Sequence, residues 1–175
     1  MPKLRVATVW FSGCSGCHMS FLDLDERLLE FAERAELVFS PIADIKEFPE
    51  DVDVVLVEGA VGNSEHLHML LEIRKKAKVL VAFGDCAVTG NVPSLRNPLS
   101  REEVLRTVYG TEDPPGLEEG EVPKLLPHAL PLHAVVPVDH FLPGCPPSAD
   151  RIWKFLRPVL LGQKPALSGP DLKFG

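Results

Sequence analysis

The chain has 175 residues, of which 45% are hydrophobic, and a formal net charge of -7. A chain of this size buries roughly 70% of its unfolded surface in one core, so it needs no disulfide staples. With an acidic balance and no basic stripe to neutralise phosphates, nucleic acid and anionic membrane are excluded as expected partners.

The N-terminal stretch MPKLRVATVWF carries one Lys and one Arg before a short apolar run, with no twin arginine and no small-residue cleavage site. It reads as a first strand, Leu4–Phe11, and not as a leader. No apolar run reaches the ~18 residues that mark a membrane-span candidate, so no membrane span is expected and the chain is placed in the cytoplasm. Further strands are expected at Leu37–Phe39, Val52–Val57, Val79–Phe83 and Ala134–Phe141. Helix-period segments separate most of them, the pattern of a parallel α/β sheet. The expected fold class is α/β, a flavodoxin-like three-layer sandwich with a mostly parallel sheet.

Between the strands, Phe21, Leu24, Leu28, Phe31 and Ala35 predict one helix over Gly16–Ala35. Asp23 with Arg27 and Glu30 with Arg34 form i,i+4 pairs on its solvent face. A second helix runs from Ser64, as cap, through Ala77 and turns Leu67, Leu70 and Leu71 inward; His66 and His68 beside that face read as surface or satisfied histidines. The last helix follows Pro146 and Pro147, is capped by Ser148, buries Ile152, Phe155, Leu156, Val159 and Leu160, and ends at Gly162. Pro158 is expected to kink or break it, and Pro137 to put the fifth strand at an edge or make it irregular. Between Gly110 and His133 lies an insert with five prolines and five acids. It reads as either a mobile excursion or a partner-binding arm, and the arm is preferred because Leu125, Leu126, Leu130 and Leu132 would otherwise leave apolar surface uncovered. Residues 1–175 are taken as a single domain with this acidic Pro-rich insert at about 110–133.

Four cysteines, Cys14, Cys17, Cys86 and Cys145, each follow an apolar run. In an open parallel sheet the carboxyl ends of the strands share one edge, so all four thiols can meet there. Soft thiolates without histidine leave an iron–sulfur cluster or structural zinc as the leading choices. Zinc sites usually recruit two close pairs of ligands. Here one C-x-x-C is followed by single cysteines 69 and 59 positions further on, which favours the cluster. A redox dithiol at Cys14 and Cys17 would leave Cys86 and Cys145 unexplained, and a flavin phosphate site in the first loop lacks Ser/Thr donors. Gly13, Gly16, Gly84 and Gly144 let backbone approach a bulky inorganic group and point N–H groups at sulfur.

The ordered motifs C-S-G-C after the first strand, V-E-G-A at Val57–Ala60, G-D-C-A-V-T-G-N at Gly84–Asn91 and P-G-C-P-P at Pro143–Pro147 resemble the small subunit of nickel-iron hydrogenases. The resemblance spans about Leu4–Gly162 and is closest to the short type of cytoplasmic NAD-reducing enzymes. It implies that Cys14, Cys17, Cys86 and Cys145 bind one 4Fe-4S cluster, with Glu58 and Gly59 at the same edge. Glu58 either tunes that cluster or faces the partner, or else serves as an ordinary turn or salt-bridge acid, and Asp85 is read in the same way. No acid, base or nucleophile is implied in this chain. The implied partners are a hydrogenase large subunit holding the nickel-iron centre, and diaphorase and iron–sulfur subunits holding flavin and further clusters. The isolated chain is then inactive. The related complex I subunit normally has adjacent cysteines in its first motif; the C-x-x-C here points to hydrogenase. The chain also ends at Gly175 without the cysteine-rich extension of longer hydrogenase small subunits.

Overall fold

Successive residues of the central strands go to opposite faces of the sheet, and both faces are apolar. In the computed structural model, which describes residues 2–165 and 167–174, the chain order begins β1 (Leu4–Trp10), α1 (Gly16–Leu22), α2 (Arg27–Arg34), β2 (Ala35–Phe39), β3 (Val52–Glu58). It continues β4 (Val61–Asn63), α3 (Ser64–Lys76), β5 (Ala77–Phe83), α4 (Asp85–Thr89), α5 (Arg101–Tyr109), β6 (Leu125–Leu130), β7 (His140–Leu142) and α6 (Ala149–Leu160). Val54, Leu56, Val81 and Phe83 pack with Phe21, Phe31, Ile152 and Phe155 from α1, α2 and α6. Val55, Val57, Leu80 and Ala82 pack with Leu70 and Ile73 of α3 and Ala87 and Val88 of α4. A strand apolar on both faces is stable only between two helical layers, which is why the sheet is parallel and central.

The strands run in the order β2-β1-β3-β5-β7, all pairs parallel. This is the flavodoxin-like order and agrees with the expected α/β sandwich. The order reverses between β1 and β3, so a crevice opens at their carboxyl ends, and the β1–α1 loop falls there. Among the described residues, no helix is long and apolar enough to cross a membrane.

Several expectations are corrected. The helix expected over Gly16–Ala35 is two helices, because Asp25 takes a left-handed φ of 50° that no continuous helix accommodates. Ala35 already belongs to β2. The charges on α2 bridge to α6: Arg27 Nη2 lies 2.7 Å from Asp150 Oδ1, and Arg157 Nε lies 3.4 Å from Glu30 Oε1. The cap of α3 is Asn63, whose side chain accepts the His66 N–H at 2.8 Å. Ser64 Oγ instead accepts from Lys124 N at 3.1 Å, and Leu71 is exposed.

Pro158 does not break α6, which ends two residues later. Its missing N–H deprives only one carbonyl near the helix end, while Ile152, Phe155, Leu156 and Leu160 stay buried. The fifth strand shortens to β7 at the sheet edge, beyond Pro137. Within the insert, β6 pairs antiparallel with β4, and Leu132 is fully buried. Its leucines therefore pack against this chain, which removes the reason for reading the insert as a partner-binding arm.

Candidate metal centre

The four cysteines arrive on three loops at one sheet edge. Cys14 lies between β1 and α1, Cys17 in the first turn of α1, Cys86 in α4 just after β5, and Cys145 just after β7. The loops are stitched together by backbone bonds. Gly84 N donates to Leu142 O at 2.8 Å, and Asp85 N to Gly144 O at 2.9 Å. Asp85 Oδ1 accepts from Gly144 N at 2.6 Å, so the residue before Cys86 fixes the residue before Cys145. On the other side, Ser12 and Ala60 exchange N–H···O bonds of 3.0 and 2.8 Å. Gly59 has φ 88° and its missing Cβ would lie 2.8 Å from Phe11 C, so only glycine lets β3 turn this close to the cysteine loop.

A cavity of about 430 Å³ opens at this edge, lined among others by Gly13, Cys14, Cys86, Val92, Arg96 and Cys145. Cys14 and Cys145 are exposed, Cys86 is half-buried and Cys17 is buried. Burial, then the Glu58 carboxylate, then the other three cysteines push the Cys17 thiol well above its ordinary value. Burial and the nearby Cys145 also raise Cys86, against an opposing hydrogen bond from the Val92 N–H. Cys17 is thus in electrostatic reach of the other three thiols, and Cys86 of Cys14 and Cys145. Among the described residues, no three His, Cys, Asp or Glu side chains are grouped so as to hold a single metal ion.

The glycines singled out in the sequence lie around these thiols. A Cβ on Gly84 would sit 2.2 Å from Cys17 Sγ, and one on Gly16 would sit 3.2 Å from Cys14 Sγ. Gly13 lies against Gly59 and Glu58, and Gly144 against Pro147.

Glu58 is 2% exposed and ends β3 beneath the first cysteine loop. Ser15, the cap position of α1, has no side-chain bond to offer the helix. Glu58 supplies it: Oε1 accepts the Cys17 N–H at 3.3 Å and Oε2 the His18 N–H at 3.1 Å. His18 Nδ1 also contacts Glu58 Oε2, and its ring lies edge-on to Trp10. His18 Nε2 is buried with no hydrogen-bond partner among the described residues. His66, by contrast, stacks on Phe11 at 4.8 Å, and His68 is exposed; neither lines the cysteine cavity.

Sequence reasoning missed His18, Asn91 and Arg96. A strand-ending acid that must be buried signals a nearby basic partner, and that signal could have pointed to His18. Asn91 Nδ2 lies 3.6 Å from Cys145 Sγ, 54 positions away, which no local pattern reveals.

Over residues 14–159 the chain matches the family described as NADH ubiquinone oxidoreductase, 20 Kd subunit, and it belongs to that family. Its relatives place it among the hydrogenase small subunits. The delta subunit of the NAD-reducing hydrogenase HoxS of Cupriavidus necator is 38% identical over 168 residues, covering 92% of this chain and 80% of that protein. A subunit of the F420-non-reducing hydrogenase vhu of Methanocaldococcus jannaschii is 40% identical over 168 residues, covering 94% of this chain. The chain spans 58% of the length of that relative and 59% of its counterpart in Methanococcus voltae. A chain in the crystal structure of an NAD+-reducing NiFe hydrogenase in the H2-reduced state superposes with a TM-score of 0.90 at 41% identity, covering 99% of this chain and 100% of that one.

Proposed function

We propose that this chain is the electron-transfer small subunit of a cytoplasmic nickel-iron hydrogenase, holding one 4Fe-4S cluster on Cys14, Cys17, Cys86 and Cys145. It passes electrons from a nickel-iron site in a large subunit towards a diaphorase module that reduces NAD through flavin. Residues 1–175 act as one iron–sulfur domain. The observation that carries this reading is the delivery of four thiols by three strand-end loops to one edge, where Cys14, Cys86 and Cys145 line an open cavity of about 430 Å³ and Cys17 is buried.

The residues present fit such a group. All four donors are soft thiols, glycine replaces bulkier residues beside Cys14 and Cys17, and Cys14, Cys86 and Cys145 border a space wide enough for a bulky group. Bound there, the cluster supplies one-electron transfer. Cys14, Cys86 and Cys145 hold it from the open side and Cys17 from the buried side. Glu58 fixes the backbone of Cys17, and Asp85 fixes the loop that carries Cys145. Because Cys17 and Cys86 hold their protons in the metal-free chain, cluster loading releases protons and is opposed by acid. No side chain here is assigned a role as acid, base or nucleophile.

Exposed apolar residues beside the cavity, Val92 at 60% and Leu95 at 74%, support a large subunit covering this edge. A relay also needs its two ends close to other redox groups, so the isolated chain neither oxidises hydrogen nor reduces NAD. The test is a native assembly carrying Cys14→Ala. Hydrogen–deuterium exchange by the large subunit is expected to persist while hydrogen-driven NAD reduction is lost. Wild-type NAD reduction in a cluster-free assembly overturns the relay.

A second reading, an assembly with an acceptor other than NAD, is favoured by the 40% identity to the F420-non-reducing hydrogenase relative. Coverage of 100% of the NAD+-reducing structure's chain, against 58% of that relative, favours the first. Identifying the subunits that co-purify with this chain separates the two.

A further inference from the structure

The segment that follows Cys86 turns three different groups towards the cysteine site. Gly90 ends α4 with φ 87°, and Asn91 continues with φ 27° and ψ -125°, a backbone conformation that L-residues rarely adopt. Such strain persists only where neighbours over-determine it. Here the Asn91 carbonyl accepts from Ser94 Oγ at 2.7 Å and from Ser94 N at 3.1 Å. Held this way, Asn91 points its Nδ2 at Cys145 Sγ, 3.6 Å away. The next residue, Val92, donates its N–H to Cys86.

One turn further on, Arg96 lines the cysteine cavity. Its guanidinium donates to the carbonyls of Gly62 and Leu126, both at 3.0 Å, and of Pro127 at 3.4 Å. Among the described residues it forms no ion pair, so its positive charge is not cancelled by a carboxylate. The carbonyls fix the cation in place without neutralising it.

We propose that Asn91 and Arg96 set the reduction potential of the cluster upward, Asn91 through its hydrogen bond to the Cys145 sulfur and Arg96 through its uncompensated charge. This rests on the cluster reading above. Reduction adds one negative charge to the cluster and its thiolates. A donor to sulfur and a nearby fixed cation both stabilise that more negative state. Neither residue touches a substrate; both act through the cluster.

The experiment is an EPR-monitored redox titration of the native assembly, following the signal that a Cys86→Ala assembly lacks. Asn91→Gly removes the donor and relieves the strained backbone, so it separates the hydrogen bond from any folding cost. Arg96→Gln removes the charge, and Arg96→Lys keeps it while losing the planar fork. Asn91→Gly and Arg96→Gln are expected to shift the midpoint to lower potential, with Arg96→Lys close to wild type. Wild-type midpoints in both Asn91→Gly and Arg96→Gln, at full iron content, overturn the inference alone. An equal shift in Arg96→Lys and Arg96→Gln overturns the charge argument, since it marks Arg96 as a tie between β4 and β6. Where Arg96→Gln fails to retain iron, Asn91→Gly decides the hydrogen-bond claim by itself. A wild-type assembly with no cluster signal from this chain overturns the cluster reading, and this inference with it.

Discussion

Glu58 Oε1 accepts the backbone N–H of Cys17 at 3.3 Å, joining residues 41 positions apart. The bond ties the end of β3 to the first turn of α1, so the sheet itself sets where the most buried cysteine sits. Glu58 thereby serves as the helix cap that Ser15 does not provide, and it neighbours His18 in a pocket that excludes water.

Glu58→Ala removes this cap and leaves the Cys17 and His18 N–H groups buried without partners. The expected cost is about 3 kcal/mol, read from denaturant midpoints of the metal-free chain, together with lower iron content after anaerobic purification. Unchanged stability and full iron would show that the cap is dispensable.

Gly84→Ala places a Cβ 2.2 Å from Cys17 Sγ at a φ of 83°, so the buried cysteine or the loop must move. Gly110→Ala is the matched control: its φ is 74°, but nothing lies within 4 Å. Both substitutions strain the backbone by about 1 kcal/mol or more. Only Gly84→Ala is expected to lose iron, as measured by iron and sulfide content.

The edge strand has its own anchor, away from the cysteines. Asp139 Oδ2 accepts from Leu80 N at 2.7 Å and from Arg74 Nη1 at 2.6 Å. Burial alone raises its carboxyl, but the Leu80 N–H and the Arg74 guanidinium outweigh it and hold the group below its ordinary value of 3.8. A depressed carboxylate contributes stability above its unfolded value, and that stability is lost as pH falls through the folded value. Wild type is therefore expected to lose stability below about pH 4 more steeply than Asp139→Asn. At neutral pH the variant is expected to be weaker by about 1 kcal/mol, a modest figure because the pair is partly exposed. Urea unfolding across that pH range checks both; parallel curves would remove Asp139 from the account.

What could be read from the sequence is what local pattern controls. The apolar runs of β1, β3 and β5 alternate between two buried faces, and a cysteine one or two residues after a glycine at the end of three strands marks the shared edge, so the sheet and the gathering of the cysteines were legible together. The break between α1 and α2 was not, since helical spacing continues across Asp23–Glu26 and only the left-handed Asp25 interrupts it. Arg27 and Glu30 look like partners of their own helix, yet they reach α6, a tertiary choice invisible in an i,i+4 pattern. In β6, Pro127 hid a strand that survives because it lies in a two-stranded ribbon with β4. Glu58, Asn91 and Arg96 act across 30 to 54 positions, beyond any motif.

The central claim is that Cys14, Cys17, Cys86 and Cys145 hold one cluster as a unit. Its most direct test is iron and acid-labile sulfide content, with the reduced EPR spectrum, of anaerobically prepared wild type and Cys145→Ala. The account predicts four irons and four sulfides per wild-type chain, and loss of the cluster in Cys145→Ala as complete as in Cys14→Ala. Four irons, four sulfides and an unchanged reduced spectrum in Cys145→Ala would contradict it.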